Sequence, residues 1–121
     1  MQITGSSKDW AWPDDLDALI AAPQYHKLLF ENDFVRVLDT CIRPGETTPI
    51  HTHRYPASLY VLSWSDFLRF DDMGNVIFDS RTLTQTPESG SARWTESFAP
   101  HALQNIGVQD LHIISVEQKN L

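Results

Sequence analysis

Short apolar runs alternate with polar, turn-forming segments along most of the chain. From residue 27 onward the runs have strand length, are rich in β-branched and aromatic residues, and are separated by segments such as RPGETTP and TPESGS. The predicted strands are KLLFEN, FVRVLDTCI, SLYVLS, FLRFDD, NVIFDS, RWTES, HALQNI and LHIISVEQ. Gly74 and Asn75 predict a tight hairpin between two of them. Because no helical pattern interrupts the series, it predicts an antiparallel sandwich or barrel.

The first part of the chain follows a different pattern. In WPDDLDALIAAP, Pro13 and the acidic residues after it are typical of a helix start, and Pro23 ends the pattern. The leucines and isoleucine between the prolines fall on one helical face. We therefore predict an N-terminal extension with a short helix over residues 1–26 and a β domain over residues 27–121.

Composition narrows the classes of function. Of 121 residues, 41% are apolar and four are tryptophan, which is enough for one real core. The net charge of −7 argues against nucleic-acid binding, and no apolar run is long enough for a membrane helix. The single cysteine, Cys41, fits a reducing compartment, and the first residues do not resemble a signal peptide. We expect a cytoplasmic protein that acts on a small molecule.

Two histidines in PIHTHRYPASLY are the strongest candidates for chemistry. His51 and His53 are two residues apart on a predicted strand, so both side chains project to one face. Burying two imidazoles side by side without partners for their ring nitrogens would cost free energy, and a shared metal ion removes that cost. The alternative is an exposed pair beside the loop that follows Pro49. Spacing alone does not decide between the two.

A third histidine supplies a resemblance to a known family. PGETTPIHTH, with Gly45, His51 and His53, is similar to the first cupin motif, G-x5-H-x-H, and HALQN, with His101 and Asn105, is similar to the second, H-x3-N. Residues 22–119 resemble small single-domain bacterial cupins. The resemblance implies an all-β jelly roll (a double-stranded β-helix), a metal site at the three histidines, and a homodimer.

The sequence also departs from the cupin pattern. Cupins usually carry a metal-binding glutamate three or four residues after the second histidine, where this chain has Ala57 and Ser58. The resemblance therefore supports three histidine ligands and no carboxylate. Glu96 is a candidate late substitute, although a solvated role is the simpler interpretation. His26 and His112 match no cupin ligand position, and we interpret both as structural.

The three predicted histidine ligands determine which metals and reactions we expect. Imidazole donors suit borderline transition metals, so we expect Fe(II), with Zn, Ni or Mn as alternatives. Three neutral ligands leave the full charge of the ion, which a bidentate anion can balance. Three-histidine cupins resemble this scheme, and they imply a non-heme iron dioxygenase acting on a β-diketone-like or thiol-like substrate. The alternative is a non-catalytic cupin that binds a metal or small ligand as a sensor or carrier.

Five further residues are expected around the substrate. An apolar pocket with a few polar groups is typical of small-molecule sites, and aromatic side chains flank the histidines. Arg36 and Arg69 lie among apolar residues and need a partner, which is either an acidic side chain such as Glu117 or a substrate carboxylate. The predicted pocket residues are Tyr60, Trp94, Phe98, Arg69 and Arg36.

Overall fold

A computed structural model describes residues 10–119 and shows nine strands with a short helical segment before them. One 3₁₀ turn, Asp14–Leu16, precedes the helix α1, Ala18–Ala21. The strands are β1 His26–Glu31, β2 Val35–Ile42, β3 His51–His53, β4 Ala57–Ser63, β5 Phe67–Asp71, β6 Val76–Asp79, β7 Ala92–Thr95, β8 Phe98–Asn105 and β9 Leu111–Gln118.

The strands form two antiparallel sheets, as the pattern of short apolar runs predicts. One sheet has the order β1-β2-β9-β4-β7 and the other the order β3-β8-β5-β6. Their inner faces enclose a core in which Ile42, Phe67 and Leu111 are buried. In this arrangement β1 and β3 are edge strands of different sheets. The site described below forms where these two edges come together.

Local turn chemistry agrees with the sequence. The β5–β6 hairpin closes with an amide-to-carbonyl hydrogen bond of 2.9 Å from Asp71 to Asn75, and Gly74 has a φ of 86°, which glycine adopts without strain. The N-terminal helix is present as a single turn. Asp17 caps it by accepting a hydrogen bond from the Leu19 amide at 3.1 Å.

The N-terminal segment is anchored to the barrel by the same aspartate. Asp17 forms a backbone bridge to Thr52 of β3, and its carboxylate takes two hydrogen bonds from Arg36 of β2, at 3.0 and 2.8 Å. These contacts hold α1 beside the strand that carries the histidine pair. Across the described residues, no helix is both long and apolar enough to cross a membrane.

Candidate metal centre

The histidine pair lies on β3 and faces the interior. His51 is 2% exposed, and the ring centroids of His51 and His53 are 5.1 Å apart. The register between β3 and β8 shifts between the two residues, so that His51 lies opposite His101 and His53 lies opposite Phe98. The prediction that both rings share one inward face is confirmed.

His26, which is interpreted from the sequence as structural, completes a cluster. His26, the first residue of β1, packs its ring 4.7 Å from that of His51 and 5.1 Å from that of His53. One ring nitrogen from each of these three histidines lies within 4.8 Å of the other two. His26 therefore sits in the candidate metal centre rather than in a separate structural role. No sequence spacing could show this, because it depends on how the edges of two sheets meet.

His101 borders the same cluster from β8. Its ring centroid is 4.4 Å from that of His51 and 5.8 Å from that of His53. The three nitrogens that converge within 4.8 Å belong to the other histidines, so ligation by His101 stays a prediction. The remaining histidine, His112, lies outside the cluster and bonds Asp39 at 2.8 Å through Nε2.

Each of the four clustered rings is oriented by a hydrogen bond from its Nδ1. A carbonyl or carboxylate oxygen only accepts, so in the neutral ring Nδ1 carries the proton and Nε2 keeps its lone pair. Such outer hydrogen bonds are typical of metal-ligating histidines. The acceptors are Ala22 O for His26 at 3.0 Å, Pro49 O for His51 at 2.8 Å, Glu117 Oε2 for His53 at 3.1 Å and Ala99 O for His101 at 2.7 Å.

Burial keeps the cluster neutral. It lowers the pKa of His26 and of His53 to about 3, helped by the charges that neighbouring histidines would carry. It also lowers the pKa of His51 and His101. At pH 7 the site therefore presents neutral imidazoles, the form that binds a metal. Neutral rings with free Nε2 atoms fit a divalent transition metal.

A buried ion pair supports His53 from behind. Glu117 is 1% exposed and accepts a hydrogen bond from Arg36 Nε at 2.7 Å, while its other oxygen accepts from His53. Burial raises the Glu117 pKa, and the charge of Arg36 opposes that rise. With Asp17 also bound to Arg36, the positive charge has two carboxylate partners. This is the acidic pairing proposed from sequence, so Arg36 is not available to a substrate.

A cavity of about 120 Å³ opens beside the histidines. Its wall is mainly apolar, and Phe98 and Arg69 border it as predicted. Tyr60 and Trp94 do not, which corrects the expectation from sequence. On β4 it is Ala57 and Leu59 that point into the cavity. Tyr60 follows Leu59, so its side chain projects to the opposite face, where it is 46% exposed.

Strand alternation also shows which of positions 57 and 58 corresponds to the glutamate that cupins usually carry. Trp94 pairs with Ser58 on the outward face and is 49% exposed. Ala57 faces the cavity and Ser58 does not, so a family-type glutamate would need to replace Ala57. Glu96 is exposed and accepts a hydrogen bond from the Trp94 indole. The solvated interpretation of Glu96 therefore holds.

Comparison with solved structures shows the fold. The chain is similar to a cupin domain from Bordetella pertussis, with a TM-score of 0.60 and 17% identity over 78% of this chain and 91% of that one. It is also similar to an RmlC-like cupin with a double-stranded β-helix from Methanocaldococcus jannaschii, with a TM-score of 0.54 and 14% identity over 78% and 79%. The chain has the cupin jelly-roll fold.

A third similar structure is an enzyme. The polyketide cyclase RemF from Streptomyces resistomycificus has a TM-score of 0.52 and 21% identity, over 82% of this chain and 68% of that one. No protein-family model matches the chain, and no curated protein matches it in sequence. At these identities the likenesses define the fold, and function has to come from the site.

Proposed function

We propose that this cupin holds one divalent transition metal on His26, His51 and His53, with His101 as a fourth imidazole. The observation that carries the proposal is that one ring nitrogen of each of these three histidines lies within 4.8 Å of the other two, while an Nδ1 hydrogen bond orients each ring. Neutral nitrogen donors favour iron, zinc or nickel over magnesium or calcium. We propose Fe(II) as the working metal.

We further propose that the bound metal serves the oxidation of a small bidentate anion, β-diketone-like or thiol-like, by dioxygen. An iron(II) ion would supply the redox chemistry for that reaction. The chain supplies orientation through the Nδ1 hydrogen bonds and a largely apolar wall that limits water. Glu117 is the only carboxylate among the described residues that line the cavity, and it is engaged by Arg36 and His53. Because this carboxylate is already engaged, the lining favours a reaction that needs little general acid–base catalysis.

A second candidate function is non-catalytic metal binding, and the fourth imidazole favours it. Zinc in structural sites is four-coordinate and closed, whereas catalytic zinc keeps an open position. Binding by all four histidines would therefore close a tetrahedral zinc site. An octahedral ion would keep two positions for a ligand. The metal that the protein selects decides between the two candidates.

Metal content and oxygen uptake test the proposal together. Elemental analysis of the purified protein should give about one divalent transition metal per chain, with most of it lost in His51→Ala and none lost in the control His112→Ala. Anaerobic Fe(II)-loaded protein should then consume oxygen when air is admitted with a diketone, thiol, catechol or hydroxy acid. Unchanged metal content in His51→Ala would contradict the site. Tight zinc and no oxygen uptake would favour the non-catalytic function.

A further inference from the structure

Arg69 is a half-buried cation with no carboxylate counter-charge among residues 10–119. It lies in the middle of β5, and its guanidinium carbon is 4.4 Å from the centroid of the Phe98 ring and 5.4 Å from those of Phe67 and Phe78. Its Nε is buried and has no hydrogen-bond partner, and no carboxylate of residues 10–119 pairs with it. Arg36, in contrast, has two carboxylates. The two arginines therefore differ in what they can still bind.

A second unsatisfied polar group faces the same cavity from the other sheet. Ser115 on β9 is 6% exposed, and its hydroxyl has no hydrogen-bond partner within the described part of the chain. Both Arg69 and Ser115 line the cavity beside the histidines. Buried polar atoms are nearly always satisfied, so two unsatisfied groups on one cavity indicate a ligand that supplies their partners.

The charge of the cavity specifies the sign of that ligand. Burial lowers the Arg69 pKa to about 10, which still leaves the guanidinium protonated at pH 7. The neutral imidazoles offer no compensation. An anion beside Arg69 would neutralise it and would gain strength from the apolar surroundings.

We propose that the cavity binds a small monocarboxylate with an apolar body, its carboxylate paired with Arg69 and a further hydrogen bond made by Ser115. The cavity of about 120 Å³ is smaller than the cavity of roughly 150 Å³ that holds benzene, so a branched aliphatic body suits it better than a ring. Ile42, Leu103 and Ile113 on the wall would pack on the apolar body. The proposal rests on the proposed function in placing this ligand beside a metal, but the Arg69 pair itself needs no metal.

Calorimetric titration with carboxylates and their amides tests the proposal. Isobutyrate and benzoate are the probes, and isobutyramide and benzamide are the neutral matches of the same shape. Whichever of the two carboxylates binds more tightly to chelator-treated wild-type protein should bind at least tenfold more tightly than its matching amide. Arg69→Met should remove that preference, while Arg93→Met, which changes an exposed arginine on β7, should leave it intact. Circular dichroism confirms that each variant is folded.

Ser115→Ala provides a test that is gentler on the fold. It should weaken carboxylate binding several-fold. Equal carboxylate and amide affinity in the wild type, or a preference that survives both Arg69→Met and Ser115→Ala, would overturn the proposal. The same titrations with zinc added separate it from the proposed function. Zinc binding without an Arg69-dependent carboxylate preference would support the metal site and contradict carboxylate binding by Arg69. An Arg69-dependent carboxylate preference without zinc binding would support carboxylate binding and contradict the metal site.

Discussion

Single side chains decide what the candidate site can do. His53 is typical: its ring is held by Glu117, which Arg36 holds in turn. Residues behind metal ligands fix ring orientation and ligand basicity, and their loss commonly reduces metal affinity about 10- to 100-fold. In the proposed metal site Glu117 is thus a positioning residue, because it would act on the metal through His53.

Replacement of Glu117 by glutamine should weaken metal binding while preserving side-chain shape. The amide is a poorer acceptor for His53 and leaves Arg36 with one charged partner, so we expect about a tenfold or larger loss of zinc affinity. Competition with a chromophoric chelator measures it. Glu88→Gln, on an exposed loop, is the matched control. Equal affinities in the two variants would show that Glu117 does not position the ligand.

The connection between β8 and β9 shows how strands and turns hold the barrel together. Asn105 is fully buried and its carboxamide makes four hydrogen bonds. Its nitrogen donates to Ile42 O and Gln109 O, and its oxygen accepts from Ser65 and Gly107. A Cβ on Gly107 would meet the Ser65 side chain, so this close approach requires glycine.

Asn105→Ala should therefore destabilise the fold markedly. It removes two buried and two part-buried hydrogen bonds at once, and we expect a loss of about 3 to 5 kcal/mol in the free energy of unfolding. Urea unfolding followed by circular dichroism measures this loss. Asn75→Ala removes an exposed carboxamide from the β5–β6 turn and should cost far less. Similar losses in the two variants would contradict the structural role assigned to Asn105.

The elements were more predictable from sequence than the site. Strand-length runs, the β5–β6 hairpin and the inward pair His51 and His53 follow from local periodicity and turn chemistry, and all are present. Spacing within a strand gives side-chain direction, but it does not say which strands become neighbours. For that reason His26 was missed. The prediction for Tyr60 is wrong for a simpler reason, because aromatic character indicates a pocket residue but the alternation of β4 turns this side chain outward.

The molecule as a whole keeps several histidine side chains in its interior in the neutral form. Burial lowers the pKa of His26 and His53 from 6.5 to about 3, whereas the unfolded chain protonates these rings near pH 6.5. The folded state then binds fewer protons, so their effect on folding is neutral above pH 6.5 and becomes destabilising as the pH falls toward 3. The cluster makes the metal-free protein acid-sensitive.

We expect chelator-treated protein to lose stability between pH 6 and pH 4. Each of the two rings contributes a slope of about 1.4 kcal/mol per pH unit in that range. Denaturant titrations at a series of pH values measure the slope, and His26→Asn should reduce it by about one ring's share. A stability independent of pH over this range, or an unchanged slope in His26→Asn, would contradict the assignment of buried neutral histidines.

Exposed apolar side chains at the edge of one sheet are relevant to whether the protein forms a dimer. The edge strand β1 exposes Leu28, Leu29 and Phe30, and Phe34 follows it at 68% exposure. Exposed apolar edges are commonly covered in natural β proteins. The homodimer expected from the cupin resemblance stays a prediction.

In the proposed site, imidazoles from both sheets, His26 among them, hold one metal per chain. X-ray absorption on the zinc-loaded protein tests it most directly, because it counts imidazole ligands and measures their distances. We predict three or four imidazoles with nitrogens about 2.0 to 2.1 Å from zinc, and one fewer in His26→Ala. A spectrum that His26→Ala leaves unchanged, or zinc bound without imidazole, would contradict the account.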